Sequence, residues 1–121
     1  MSDSRKKLVR FLVAEIEELI DDAEFETRHC DDRLAKREIS DYVCKENEGF
    51  FHLEADSLRR LLSAIDHLDI SLYTSLSEVV TALDLLARKH VSERAEPEAV
   101  YMFVSKKLKK VVEYIESGDN S

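Results

Sequence analysis

Tryptophan is missing from this chain of 121 residues, proline occurs once and glycine twice. A β-rich fold turns its backbone often, and turns draw on glycine and proline for conformations that other residues avoid. Their scarcity argues against an all-β fold and for helices joined by few, short connections. It also argues against a phosphate-cradling loop, which needs glycine where backbone N–H groups approach an anion. Gly49 and Gly118 are both expected at helix ends. No apolar run approaches the roughly 18–20 residues of a membrane span. The segment LVRFLVA after Lys7 is broken by Arg10 and ended by Glu15, too short and too charged for a secretory leader. Two cysteines without such a leader are expected to stay reduced, in the cytoplasm. No linker, low-complexity tract or internal repeat stands out.

What is present is grease and charge: 44% of residues are hydrophobic and 36% charged. That apolar fraction is enough for one domain with its own core, spanning residues 1–121. The formal charge of −8 is segregated. Arg5, Lys6, Lys7 and Arg10 form one basic cluster, and Lys106, Lys107, Lys109 and Lys110 another. Between them, residues 15–32 hold Glu15, Glu17, Glu18, Asp21, Asp22, Glu24, Glu26, Asp31 and Asp32 against Arg28 alone. A chain of this sign repels nucleic acid and anionic membrane except where bases gather, so neither is the expected partner.

Hydrophobic spacing predicts an all-α fold, a small and largely antiparallel bundle of about five helices with short loops. The first covers 4–25 on Leu8, Leu12, Ile16, Leu19 and Ala23. Acids crowd its second half, where the helix dipole prefers cations. The second covers 32–47, capped by Asp31 or Asp32 and closed by Gly49. Its stripe is thin: Leu34, Ala35, Ile39, Tyr42 and Val43. FFHLE at 50–54 is a connection, a strand or the lead-in to a third helix over 55–68. Ser75-Leu76-Ser77-Glu78 reads as a capping box opening a fourth helix, 76–90. Pro97 and Glu98 open a fifth, 97–117, whose Val100, Val104, Leu108, Val111 and Ile115 make a near-heptad seam. Residues 118–121 are expected as a disordered tail.

His29, Cys30, Cys44 and His52 share one window, which raises the question of a metal. Structural zinc sites bring ligands in tight pairs because one turn can aim two thiolates at one ion. Cys30 and Cys44 are too far apart for that pattern, and neighbouring His29 and Cys30 diverge on a helix. The expectation is therefore no metal and no cofactor, with the thiols acting as small core hydrophobes. Glu26-x-x-His29 is a single copy of a motif that di-iron bundles need twice. No nucleophile elbow or placed cysteine–histidine pair supports covalent catalysis, and no catalytic residue is assigned.

Arg60 and His67 form an Arg-x6-His spacing on one helix face. This spacing resembles the Arg-x4–6-His motif of HEPN ribonucleases, over eight residues, and implies a helical, dimeric RNA-cleaving module with that pair as its centre. The other reading is a solvated arginine and a rim histidine. Lys106, Lys107, Lys109 and Lys110 are partner-binding candidates, against the simpler reading of a solubilising face paired to acids one turn away. So are Phe50, Phe51, Tyr73 and Tyr101, the aromatics that the stripes least explain. One of Phe50 and Phe51 is expected to plug the bundle end; the other either packs in the core as well or stays outside, where it becomes a contact anchor.

These features predict a non-enzymatic protein–protein interaction module: an acidic helical adaptor, chaperone or regulator, and a homodimer. In size and charge it is similar to secretion or flagellar export chaperones and to helical immunity proteins that block basic nucleases. The alternative is an RNA-binding or HEPN-like module using Arg60, His67 and the basic clusters.

Overall fold

A computed structural model describes residues 3–94 and 96–118. The described residues form four helices and one 3-10 turn, without a strand. Helix α1 spans Ser4–Ala35, α2 Asp41–Asp66, α3 Leu76–Glu93 and α4 Glu98–Gly118, with the 3-10 turn at Ile70–Leu72. The all-α class is as expected, and the count of about five becomes four. Of the predicted tail, 118–121, Gly118 is instead the last residue of α4, and residues 119–121 lie outside the described residues.

The difference sits in the first half. Helix α1 does not stop at 25 but runs on to Ala35. Residues 41–66 then make one helix, through Gly49 and FFHLE, where the sequence pattern suggested two. The chain reverses at 36–40 instead. Arg37 adopts a left-handed φ of 62°, its N–H donates to the Leu34 carbonyl, and the Glu38 N–H donates to the Arg33 carbonyl at 2.8 Å. That pair of bonds is the Schellman closure, normally built on glycine, with arginine in the left-handed seat. Ser40 then caps α2, its Oγ accepting from the Val43 N–H at 3.2 Å. Neither Asp31 nor Asp32 is a cap. Because α1 continues, Glu15 to Glu26 lie mid-helix and Arg33 joins Asp31 and Asp32 near the C-terminal end, so most of the expected clash with the helix dipole does not arise.

The other ends follow the sequence closely. Asp3 caps α1 by accepting from the Arg5 N–H. Ser75 caps α3 by accepting from the Glu78 N–H at 3.2 Å. The Glu78 carboxylate accepts in return from the N–H of Thr74, one residue earlier than the usual box. Pro97 precedes α4, and its carbonyl accepts from the Val100 N–H.

The core gathers Leu8, Leu12, Ile16 and Ile20 of α1, Leu58, Leu61 and Ile65 of α2, Val79 and Leu83 of α3, and the whole α4 seam from Val100 to Ile115. At 1.5 Å per residue, α1 is about 48 Å long and α2 about 39 Å, whereas α3 reaches about 27 Å and α4 about 32 Å. The shorter pair therefore cannot cover the longer one. Phe11 meets Tyr114 and Glu15 meets Lys110, an antiparallel register that sets Glu98 level with about Thr27. His90 meets Ser57, which sets the end of α3 level with about Glu54. Beyond those levels α1 and α2 continue as a two-helix arm, residues 25–53. Only Cys30 and Cys44 are buried along it.

Candidate interaction site

The arm has half of the exposed large apolar side chains of the described residues: Phe25 (56% exposed), Tyr42 (73%), Val43 (42%), Phe50 (48%) and Leu53 (51%). On α2, Tyr42, Val43, Phe50 and Leu53 fall within an arc of about 100°. Ser57 continues the same arc one turn further, and there the face is closed by α3: Ser57 is fully buried against His90. The exposed stripe is thus a face that helix packing covers in the body and leaves open on the arm. Phe25 stands at the arm's base on α1, stacked on His29 with ring centroids 6.1 Å apart.

Charge is mixed at the arm's tip, where Arg33, Lys36, Arg37 and Lys45 stand with Asp31, Asp32, Glu38 and Asp41, whereas its base and the adjoining turns of α1 carry Glu17, Glu18, Asp21, Asp22, Glu24 and Glu26. Arg33 reaches Glu38 at 3.6 Å across the reversal, and Arg59 of α2 pairs with Glu24.

The level at which the arm leaves the body is set by a polar knot. The imidazole Nε2 of His90 lies 3.0 Å from the Ser57 carbonyl and 3.4 Å from its hydroxyl. Glu96, its side chain 7% exposed, accepts two bonds of 2.8 Å from Arg60 and approaches the same imidazole nitrogen at 3.9 Å. Serine and glutamate crowd one nitrogen, so this is not a relay in which a carboxylate orients the far side of a histidine that activates a hydroxyl. It is a buried polar clamp fixing the α3–α4 connection to α2.

The predicted partner residues scatter. Phe51 packs against the core while Phe50 stays largely outside, touching it edge to face at 5.7 Å. Tyr73 packs on the core, and its carbonyl accepts from the Arg5 guanidinium. Tyr101 donates its hydroxyl proton to Asp84 at 2.8 Å and lies under the Arg88 guanidinium at 4.7 Å from the ring. Both tyrosines are thus tied internally. Lys107 and Lys110 hold Glu15 of α1 at 3.3 and 3.1 Å. The Lys110 ammonium, helped by Lys107 and opposed by burial, holds the Glu15 carboxyl below its ordinary range. Lys106 and Lys109 remain exposed and border a shallow 460 Å³ cleft with Phe103 and Leu19. Arg60 is committed to Glu96, and His67 Nδ1 sits 2.7 Å from the Ser63 carbonyl at the end of α2.

Sequence reasoning singled out Phe50 but missed Tyr42, Val43 and Leu53. It assigned Tyr42 and Val43 to a core stripe and split α2 just before Phe50. Their periodicity was visible, but which face lacks a neighbour depends on the lengths of other helices. Against family models, curated proteins and solved structures, the chain shows no match.

Proposed function

We propose that this chain is a non-enzymatic protein–protein interaction module that self-associates through the arm. The supporting observation is the stripe of Tyr42, Val43, Phe50 and Leu53, which prolongs a face of α2 that the body buries. A two-helix layer has one apolar side and no opposing layer, and the stable remedy is a second layer. A second copy supplies one: two arms, antiparallel about a two-fold axis, make a four-helix arrangement like the body. That arrangement sets the exposed Lys36 and Arg37 at the tip of each arm beside the acidic base of the other. Opposite charges there fix the direction of pairing and speed encounter.

The RNA-binding or HEPN-like alternative has less support. Two of its four lysines sit on Glu15, and its arginine is held by Glu96.

Light scattering at tens of micromolar should return a dimer mass that falls as salt is raised. The double change Phe50→Glu and Leu53→Glu should give a monomer with unchanged helical circular dichroism. A wild-type monomer at every concentration would rule out self-association.

A further inference from the structure

The two cysteines are not isolated on the arm. Antiparallel packing of α1 on α2 sets Cys44 Sγ 3.7 Å from Asp31 Oδ1 and 3.5 Å from Glu48 Oε1. These three donor atoms all lie within 4.8 Å of one another. The Cys30 thiol donates to the Cys44 carbonyl at 3.4 Å. We propose that Asp31, Cys44 and Glu48, with Cys30 as fourth ligand, form a binding site for a divalent cation of the zinc class.

The spacing fits. Donors held 2.0–2.3 Å from zinc at tetrahedral angles lie roughly 3.3–3.8 Å apart. Cys30, buried on the facing helix with its thiol on the Cys44 carbonyl, is the neighbouring donor assigned to the fourth position. The chemistry fits as well. A thiolate selects zinc-class ions over magnesium or calcium, and two carboxylates add charge compensation.

Thiols and carboxylates bind metal in their charged forms, so uptake releases protons and strengthens as pH rises. The ion would clamp α1 to α2 at the point where the arm has no other buried side chain. All ligands come from one chain, so the site does not depend on self-association.

The test is a cobalt(II) titration of the reduced, metal-free full chain. A thiolate charge-transfer band should saturate at one ion per chain and be displaced by zinc but not by excess magnesium or calcium. Asp31→Asn and Glu48→Gln, both at the accessible side of the cluster, should each weaken uptake at least about tenfold while the helical spectrum is kept. Cys30→Ser should remove about half of the band's intensity, since one of two thiolates is lost. Absence of a saturable band overturns the site. So does equal uptake by either carboxylate variant, or displacement by magnesium. An undiminished band in Cys30→Ser overturns the four-ligand set.

Discussion

At the scale of single residues, the polar clamp makes stability depend on pH. Burial lowers the His90 pKa below the ordinary 6.5, with the Ser57 carbonyl and Glu96 opposing the shift and Arg94 and Arg60 adding to it. The fold therefore prefers neutral imidazole. This contribution is whole above 6.5 and is lost as pH falls through the depressed value. Glu96, lowered mainly by Arg60, and Glu15, lowered mainly by Lys110, are whole above 4.5 and are lost in more acid solution. Glu54 runs the other way: burial raises its carboxyl, so its charged form costs stability at neutral pH and that cost fades on acidification. Denaturant midpoints at pH 7 and about 5.5 separate these groups. The His90→Gln chain should lose less stability over that interval than the wild type, and an identical loss would remove His90 from the account.

At the scale of elements, the reversal after α1 and the run through α2 carry opposite residue choices. Arg37 holds a left-handed conformation that suits glycine, and Gly49 sits inside a helix where an added Cβ meets nothing within 4 Å. Arg37→Gly should relieve about 1 kcal/mol of backbone strain, less the entropy that glycine adds to the unfolded chain. Gly49→Ala should gain about 0.5–1 kcal/mol, because alanine propagates a helix better and has fewer unfolded conformations to lose. Urea midpoints, with amide exchange over residues 25–53, read both effects. Destabilisation by Gly49→Ala would contradict an uninterrupted α2.

At the scale of the molecule, body and arm differ in what holds them. The body buries large aliphatics from four helices, and Leu58 is fully enclosed. Leu58→Ala should cost about 2–5 kcal/mol through lost burial and the cavity left behind. The arm's buried seam is Cys30 and Cys44 alone. Amides of 27–52 should exchange faster than those of 58–65 in dilute solution, because local opening there exposes little apolar surface. Raising the protein concentration should slow arm exchange selectively if a second copy covers it. Equal protection of arm and body at all dilutions would make the arm an integral part of the core.

How far the sequence could be read varied with the range of the forces involved. The all-helical class, the α3 cap at Ser75, the start of α4 after Pro97 and the seam from Val100 to Ile115 were legible, because capping bonds and helical periodicity act within a few residues. The end of α1 was not, because Arg37 fills a seat that composition assigns to glycine, and Gly49 drew the break to the wrong place. Exposure of the stripe from Tyr42 to Leu53 was decided only by tertiary structure. It follows from α3 and α4 being too short to cover α2, a relation among distant segments. The meeting of Asp31, Cys30, Cys44 and Glu48 is of the same kind. Spacing along the chain says nothing of donors on two helices until their antiparallel register sets them side by side.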